Sequence, residues 1–316
     1  MAAGNTLDEV TAAWPLEIRE DLRETLSKEG VVPSEKVATW LEMLGIDIGH
    51  LMIQLLPIAA SYARAPVSNF RVGAVSLGMP PRPPIGGPGS LYLGSNMEVL
   101  GEALCFCIHA EQSATNFAWL HGEPGLQALA ISAAPCGFCR QFLYELTTTT
   151  KGLDVLLKTH ADPDADSYRS NPLTYFLPDA FGPEDLGVEG GLMKPEDHGL
   201  TISCSDPTAQ AALGGANASY APYTKNYSGL ALSGPNGQTY VGRYAENAAY
   251  NPSLSPLESA LAAMNMSLLP QADLTIHGSI LVEAQTDISQ KGASEAVLSA
   301  LAPGVDLEVR AAVPSE

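Results

Sequence analysis

His109-Ala-Glu111 and, 24 residues further on, Pro135-Cys-Gly-Phe-Cys139 decide how this chain is read. Cys136 and Cys139 are three apart, so they share one face at the start of a helix, and His109 stands at the start of another. Two thiolates and one imidazole make a good zinc shell. Two helix N-termini aimed at one point favour the thiolate form of the cysteines. Three protein ligands leave a fourth position open, the mark of a catalytic zinc. There a water has its pKa lowered from about 15.7 towards roughly 7. Glu111, two residues past His109, is placed to face that water without ligating the metal, and its carboxylate can carry protons.

Outward from these motifs, strands and helices alternate. Leu126 to Ala133 is an apolar strand, Gly137 to Thr147 a helix, and Leu153 to Lys158 another strand. Upstream, Phe70 to Leu77 and Leu91 to Gly94 are strand-like, separated by a Pro/Gly-rich stretch from Met79 to Ser90 that can only be a loop. Helices are expected over Pro15 to Lys28, from Ser34 as N-cap to Leu44 with Gly45 as the stop, and over Ile48 to Tyr62, kinked at Pro57. The fold class is therefore α/β, with layered helices and sheet.

The second half repeats the first. Pro66 precedes Gly73 by seven residues, as Pro222 precedes Gly229. Tyr92-Leu-Gly-Ser-Asn-Met-Glu98 matches Tyr240-Val-Gly-Arg-Tyr-Ala-Glu246, and Ser113-Ala114 matches Ser259-Ala260 after a two-residue indel. Three matches in order favour a duplicated domain. The expected boundaries are an N-terminal helical segment over 1–47, a catalytic domain over 48–169, a linker over 170–195 and a degenerate repeat over 196–316. Ser255 stands where His109 would be and Leu257 where Glu111 would be, and no Cys-x-x-Cys follows. One Zn2+ per chain is expected.

Composition sets limits on partners. The chain has 35 acidic against 16 basic residues, a formal net charge of −19. Nucleic-acid binding relies on Lys and Arg replacing counterions on phosphate, so no nucleic-acid partner is expected. No segment reads as a membrane span: the run from Leu51 to Ala60 is short and holds Gln54 and Pro57. Five cysteines, two of them in Cys-x-x-Cys, point to metal chemistry in a reducing compartment, hence a cytoplasmic protein.

H-x-E followed by P-C-x-x-C is the signature of zinc nucleobase deaminases. Ser68-Asn-Phe-Arg-Val-Gly-Ala74, Gly94-Ser-Asn-Met-Glu98, His109-Ala-Glu-Gln-Ser-Ala114, Pro135-Cys-Gly-Phe-Cys-Arg-Gln-Phe142, Leu177-Pro-Asp-Ala-Phe-Gly-Pro183 and Ala245-Glu-Asn-Ala-Ala-Tyr-Asn-Pro252 extend the likeness. From about residue 48 onward the chain resembles the homodimeric, two-domain cytidine deaminases of bacteria and plants. The resemblance implies a duplicated three-layer α-β-α fold. It also implies hydrolysis of cytidine and 2′-deoxycytidine to uridine and 2′-deoxyuridine plus ammonia, in pyrimidine salvage.

It implies site roles as well. Asn96 and Glu98, with Met97 between them, fall where the family binds the ribose 3′-hydroxyl, and Phe70 where a ring packs on the pyrimidine. The backbone of Ala110 and Ala134 falls where the base edge is read. A homodimer is implied, the second repeat closing the partner's active site near Ala248 to Tyr250.

Plainer readings stand beside these. Asn96 and Glu98 could satisfy a turn, and Glu246 at the matching position suggests a structural glutamate in both repeats. Phe70 could be core, and Arg140 and Gln141 could only support the helix of Cys139. Cys105 and Cys107 read as buried apolar thiols on one side of an extended stretch, with a closed structural zinc site as the alternative. Cys204 reads as structural and His121 as a helix cap. A deaminase of nucleotides or nucleic acid, and a non-enzymatic zinc module, are the competing functions.

Overall fold

The computed structural model describes residues 7–84, 86–159, 167–189 and 191–315. Helices α1 (Leu7–Val10) and α2 (Leu16–Leu26), strand β1 (Val31–Val32), and helices α3 (Ser34–Leu44) and α4 (Ile48–Ser61) open the chain. Gly45 ends α3 in the left-handed conformation, at φ 64°, where a Cβ would be strained. Asp47 caps α4 by accepting from the His50 N–H at 2.9 Å. Pro57 lies inside α4, as expected. The N-terminal segment is not purely helical. β1 pairs with a strand of the first sheet, and the Gly30 N–H donates to the Met266 carbonyl at 2.8 Å. A two-residue apolar run carries no periodicity, so this edge strand was invisible in the sequence.

The first sheet continues with β2 (Gly73–Gly78), β3 (Leu91–Ser95), β4 (Leu126–Ile131), β5 (Asp154–Lys158) and β6 (Tyr168–Pro172), in the order β1-β3-β2-β4-β5-β6. Around it lie α5 (Ala110–Leu120), α6 (Gly137–Tyr144), α7 (Thr149–Gly152) and α8 (Leu173–Phe176). β6 and α8 correct the expected linker. Residues 170–172 are the edge strand beside β5, and Leu173 is fully buried. A Pro- and Asp-rich composition hid them because edge strands tolerate such residues.

The second half holds β7 (Leu200–Thr201), α9 (Pro207–Asn217), β8 (Ser228–Ser233), β9 (Thr239–Arg243), α10 (Pro256–Met266), β10 (Gly278–Ala284), α11 (Lys291–Leu301) and β11 (Leu307–Pro314). Its sheet runs β7-β11-β10-β8-β9. β3-β2-β4-β5 of the first sheet and β9-β8-β10-β11 of the second match strand for strand, including the single parallel pair, β4·β5 and β10·β11. The edge strand beyond differs in origin: β6 follows β5 in the chain, whereas β7 precedes its whole repeat.

Glycines show why the layers stack alike. Gly73 and Gly94 sit on neighbouring strands with Gly73 opposite Ser95 and Gly94 opposite Ala74, so they face opposite sides of the sheet. A Cβ on Gly73 would meet the Leu56 carbonyl of α4 at 2.3 Å, and one on Gly94 would meet the Ala114 N of α5 at 2.2 Å. Helices α4 and α5 therefore cover opposite faces, giving the three-layer α-β-α arrangement. Gly229 and Gly242 repeat this against Ala212 of α9 and Ala260 of α10, which fixes the match of Ser113-Ala114 with Ser259-Ala260. We expect Gly94→Ala to push α5 off its sheet and cost about 1–3 kcal/mol in urea unfolding. An unchanged midpoint would contradict this close approach.

Helices α5 and α10 pack against each other between the two sheets. Both are buried nearly all round, and the Asn116 Nδ2 donates to the Ser259 carbonyl at 3.0 Å while the Ser259 hydroxyl donates to Asn116 Oδ1 at 2.7 Å. The degenerate repeat thus covers the helix that begins at His109. No single helix among the described residues is long and apolar enough to cross a membrane.

Candidate metal and substrate site

His109 is the N-cap of α5 and Cys136 the N-cap of α6, so both helices point their N-termini at one place. His109 Nδ1 lies 3.5 Å from Cys136 Sγ and 3.2 Å from Cys139 Sγ, and the two sulfurs are 3.6 Å apart. A tetrahedral zinc with bonds of about 2.3 Å to sulfur and 2.0 Å to nitrogen sets ligand atoms about 3.5–3.8 Å apart. The donor set and its spacing fit the ion. Among the described residues these three form the one His/Cys/Asp/Glu cluster compact enough for a metal, so Cys105 and Cys107 do not close the shell.

The local charges suit metal binding. Hydrogen bonds from the Cys139 thiol and from His109 hold Cys136 down to about 3. The same bond to Cys136, with burial, pushes Cys139 up. His109 is raised by its hydrogen bond to Cys136, against the effect of burial. Zinc binds neutral imidazole and thiolate, so protons on this cluster compete with the ion. The ring of Phe138 lies 5.3 Å from that of His109, tilted by 32°.

Glu111 lies in the first turn of α5 at 4% exposure, and burial raises its pKa. A carboxyl so placed holds a proton more readily than an exposed one, which suits a group that must take up and return protons. Its mouth to solvent is a cavity of about 460 Å³, which Phe70, Asn96, Glu98, Cys107, Ala110, Ala134 and Cys136 help to line. Phe70 is 61% exposed, so it is a wall of the cavity and not core. Of the expected site residues only Met97 lies elsewhere. Its side chain is buried among Val99, Ile108, Leu257 and Leu261, and its backbone is paired both ways with Ile108. Strand alternation accounts for this: with Asn96 and Glu98 facing the cavity, Met97 faces the second repeat.

Asn96 and Glu98 shape the cavity as well as line it. Asn96 Oδ1 accepts from the Val72 N–H at 2.8 Å and its Nδ2 donates to the Phe70 carbonyl at 2.9 Å. Glu98 accepts from the N–H groups of Val67 and Ser68 at 2.8 and 3.0 Å and from the Ser68 hydroxyl. Burial works to raise its pKa, but these bonds outweigh it and the net shift is downward. Glu246 makes the same three contacts to Tyr223 and Thr224, so the shared glutamate is structural in both repeats. Only the first copy also faces the cavity.

Arg140 donates to the Pro135 and Phe176 carbonyls at 2.8 and 3.0 Å, and Gln141 to the Phe181 carbonyl at 2.9 Å, so both support the metal helix. Cys105 is exposed and Cys107 half-buried in the cavity wall, because the chain makes a 3-10 turn over Leu104–Phe106 instead of an extended stretch. His121 is the C-cap of α5, as expected, with its ring against the Phe117 carbonyl at 2.7 Å and Glu29 at 3.0 Å. Leu104 and Val67, which no motif marked, also line the cavity. Ser255 occupies the N-cap of α10 as His109 does that of α5, and its hydroxyl accepts the Glu258 N–H at 3.2 Å. The second repeat spends this position on capping.

Fold and site together define a duplicated α/β protein with, among the described residues, one His/Cys/Cys cluster fit for zinc. Models described as the cytidine and deoxycytidylate deaminase zinc-binding region match residues 49–151 and 173–295. The chain is 41% identical over 305 residues to a cytidine deaminase of Aliivibrio fischeri, covering 96% of each chain. It is 42% identical over 273 residues to a cytidine deaminase of Photorhabdus laumondii subsp. laumondii, covering 86% of each. A crystal structure of cytidine deaminase from Burkholderia pseudomallei aligns with 42% of this chain and 98% of its own, at 31% identity and a TM-score of 0.33. The chain belongs to the cytidine and deoxycytidylate deaminase family.

Proposed function

We propose that the protein hydrolyses the exocyclic amine of cytidine and 2′-deoxycytidine, releasing uridine or 2′-deoxyuridine and ammonia. The observation that carries this reading is the compact His109–Cys136–Cys139 cluster with the buried Glu111 beside it at the end of a small-molecule cavity. Zinc on these three residues supplies a Lewis acid that activates water at neutral pH. The rest falls to the chain. Glu111 takes a proton from the attacking water and delivers it to N3 of the pyrimidine. It then carries the second proton to N4, which leaves as ammonia while the water oxygen stays on C4. Phe70 stacks on the ring. The Ala110 and Ala134 backbones face the base edge, and Asn96 and Glu98 hydrogen-bond the sugar hydroxyl with the capacity left from holding the loop.

Among the described residues the cavity lining includes no lysine or arginine, and Glu98 lies in that lining. A phosphate there would meet a carboxylate and no counter-charge, which favours free nucleosides over nucleotides and polymers. Cytidine, deoxycytidylate and a cytosine-containing oligonucleotide assayed side by side test this. Turnover confined to the last two would refute the nucleoside reading. Glu98→Gln removes charge from a carboxylate whose two oxygens accept three bonds, each worth about 1.5–3 kcal/mol when charge-assisted. We expect KM for cytidine to rise by about tenfold or more while kcat falls less. Unaltered KM would show Glu98 to be structural only.

We further infer a homodimer in the cytoplasm. Ala249 and Tyr250 stand exposed at a loop tip, Tyr250 with φ 61° and 64% exposure, whereas the neighbouring Ala248 N–H is engaged by Glu145 of its own chain. An exposed aromatic residue held in a left-handed conformation suits a reach into a partner's site. Sedimentation showing a stable monomer would overturn the dimer and the shared site together.

A further inference from the structure

We propose that Glu145 is a positioning residue for the metal-carrying helix α6, fixed in place by donors that the second repeat supplies. The proposal rests on Cys136 and Cys139 being the metal ligands. Those ligands occupy the first turn of α6, and Glu145 is its C-cap. Glu145 is 1% exposed. Its carboxylate accepts from the Tyr220 hydroxyl at 2.8 Å, from the Ala248 N–H at 2.9 Å and from the Tyr223 hydroxyl. All three donors belong to the second repeat.

A carboxylate at this place is unfavourable on local grounds. It faces the negative end of the helix dipole and has lost its water. Three convergent donors offset that cost, and they also define where the helix end must lie. A second attachment runs alongside: Asn247 Nδ2 donates to the Gln141 carbonyl at 2.9 Å, and Gln141 Nε2 to Asn247 Oδ1 at 3.4 Å. Glu145 is about 9 Å along the helix axis from Cys139 at 1.5 Å per residue. A helix of two turns is stiff over that span, so a shift at Glu145 tilts the metal ligands relative to Glu111 on α5. Arg140 ties α6 only to residues of the first half. The bonds from Tyr220, Tyr223, Asn247 and Ala248 thus give the metal-free repeat a task inside its own chain.

The test uses full-length protein loaded with zinc, and separately with Co(II), as wild type, Glu145→Gln and Tyr223→Phe. Loss of a partner behind a metal ligand typically costs about 10- to 100-fold in activity or metal affinity. For Glu145→Gln we expect kcat to fall about tenfold with KM for cytidine within about twofold. We also expect a shifted visible d–d spectrum of the Co(II) form and faster metal release to a chelator. Tyr223→Phe should move each readout the same way by less, and it decides the matter where Glu145→Gln does not fold. Folded, metal-loaded variants with wild-type kcat and spectrum would overturn the proposal. So would an activity loss fully explained by metal-free protein with an unchanged Co(II) spectrum. A wild type that binds metal but is inactive would refute the deaminase reading instead, leaving the spectrum and release rates to judge Glu145.

Discussion

Glu111→Gln should retain one zinc per chain and lose about 100- to 10,000-fold in the rate of cytidine deamination, the range typical for a positioned acid/base. Glutamine keeps the shape of the side chain at a site that is 4% exposed, so packing around α5 should survive. What it lacks is an oxygen that can take a proton and return it. Among the described lining residues the one other carboxylate is Glu98. Glu98 is bound to the 67–68 turn and its pKa is lowered, the wrong direction for a group that must hold a proton at neutral pH. The comparison needs initial rates by ultraviolet absorbance and metal analysis on the same samples. A variant within about tenfold of wild type would remove Glu111 from the chemistry.

Cys139→Ala should abolish stoichiometric zinc binding and with it all detectable turnover. Cys139 is fully buried in the first turn of α6, and two remaining ligands do not hold zinc in a closed geometry. The native site should also release metal in acid. Zinc binds neutral imidazole and thiolate, so each proton the cluster takes up favours release. His109 is shifted upward, so its proton competes with the metal from above its ordinary value of 6.5 downward. Zinc should accordingly transfer to a chelator faster at pH 5.5 than at pH 8. A Cys139→Ala protein that keeps one zinc per chain, or a release rate indifferent to pH, would contradict the assigned shell.

The metal site was legible in the sequence because its chemistry tolerates few substitutes. His109, Glu111, Cys136 and Cys139 are local to two helix starts, and spacing alone brought each group to its helix face. The duplication was legible for a related reason: Gly73, Gly94, Gly229 and Gly242 all sit where a Cβ would strike a helix backbone, so the same residue recurs. Substrate-side residues were less plain. Asn96 and Glu98 hold a loop, the plainer of the two roles the sequence allowed, and they also line the cavity. Met97 came along with its neighbours although strand alternation sends it the other way. Glu145 carried a weak signal that went unread: an acidic residue closing an apolar helix opposes the helix dipole, and it asks for donors from elsewhere in the chain. Those donors lie 75 or more residues away, beyond any local pattern. β1 and β6 were missed because short edge strands carry no periodicity.

The most direct test is to incubate the zinc-loaded chain with cytidine in 18O-labelled water and weigh the product. Uridine carrying a single 18O, formed together with one ammonia per turnover, is the expected result. It would place water at the carbon that loses the amine, as the His109–Cys136–Cys139 site and Glu111 require. Folded protein with one zinc per chain that leaves cytidine and 2′-deoxycytidine unchanged would contradict the account.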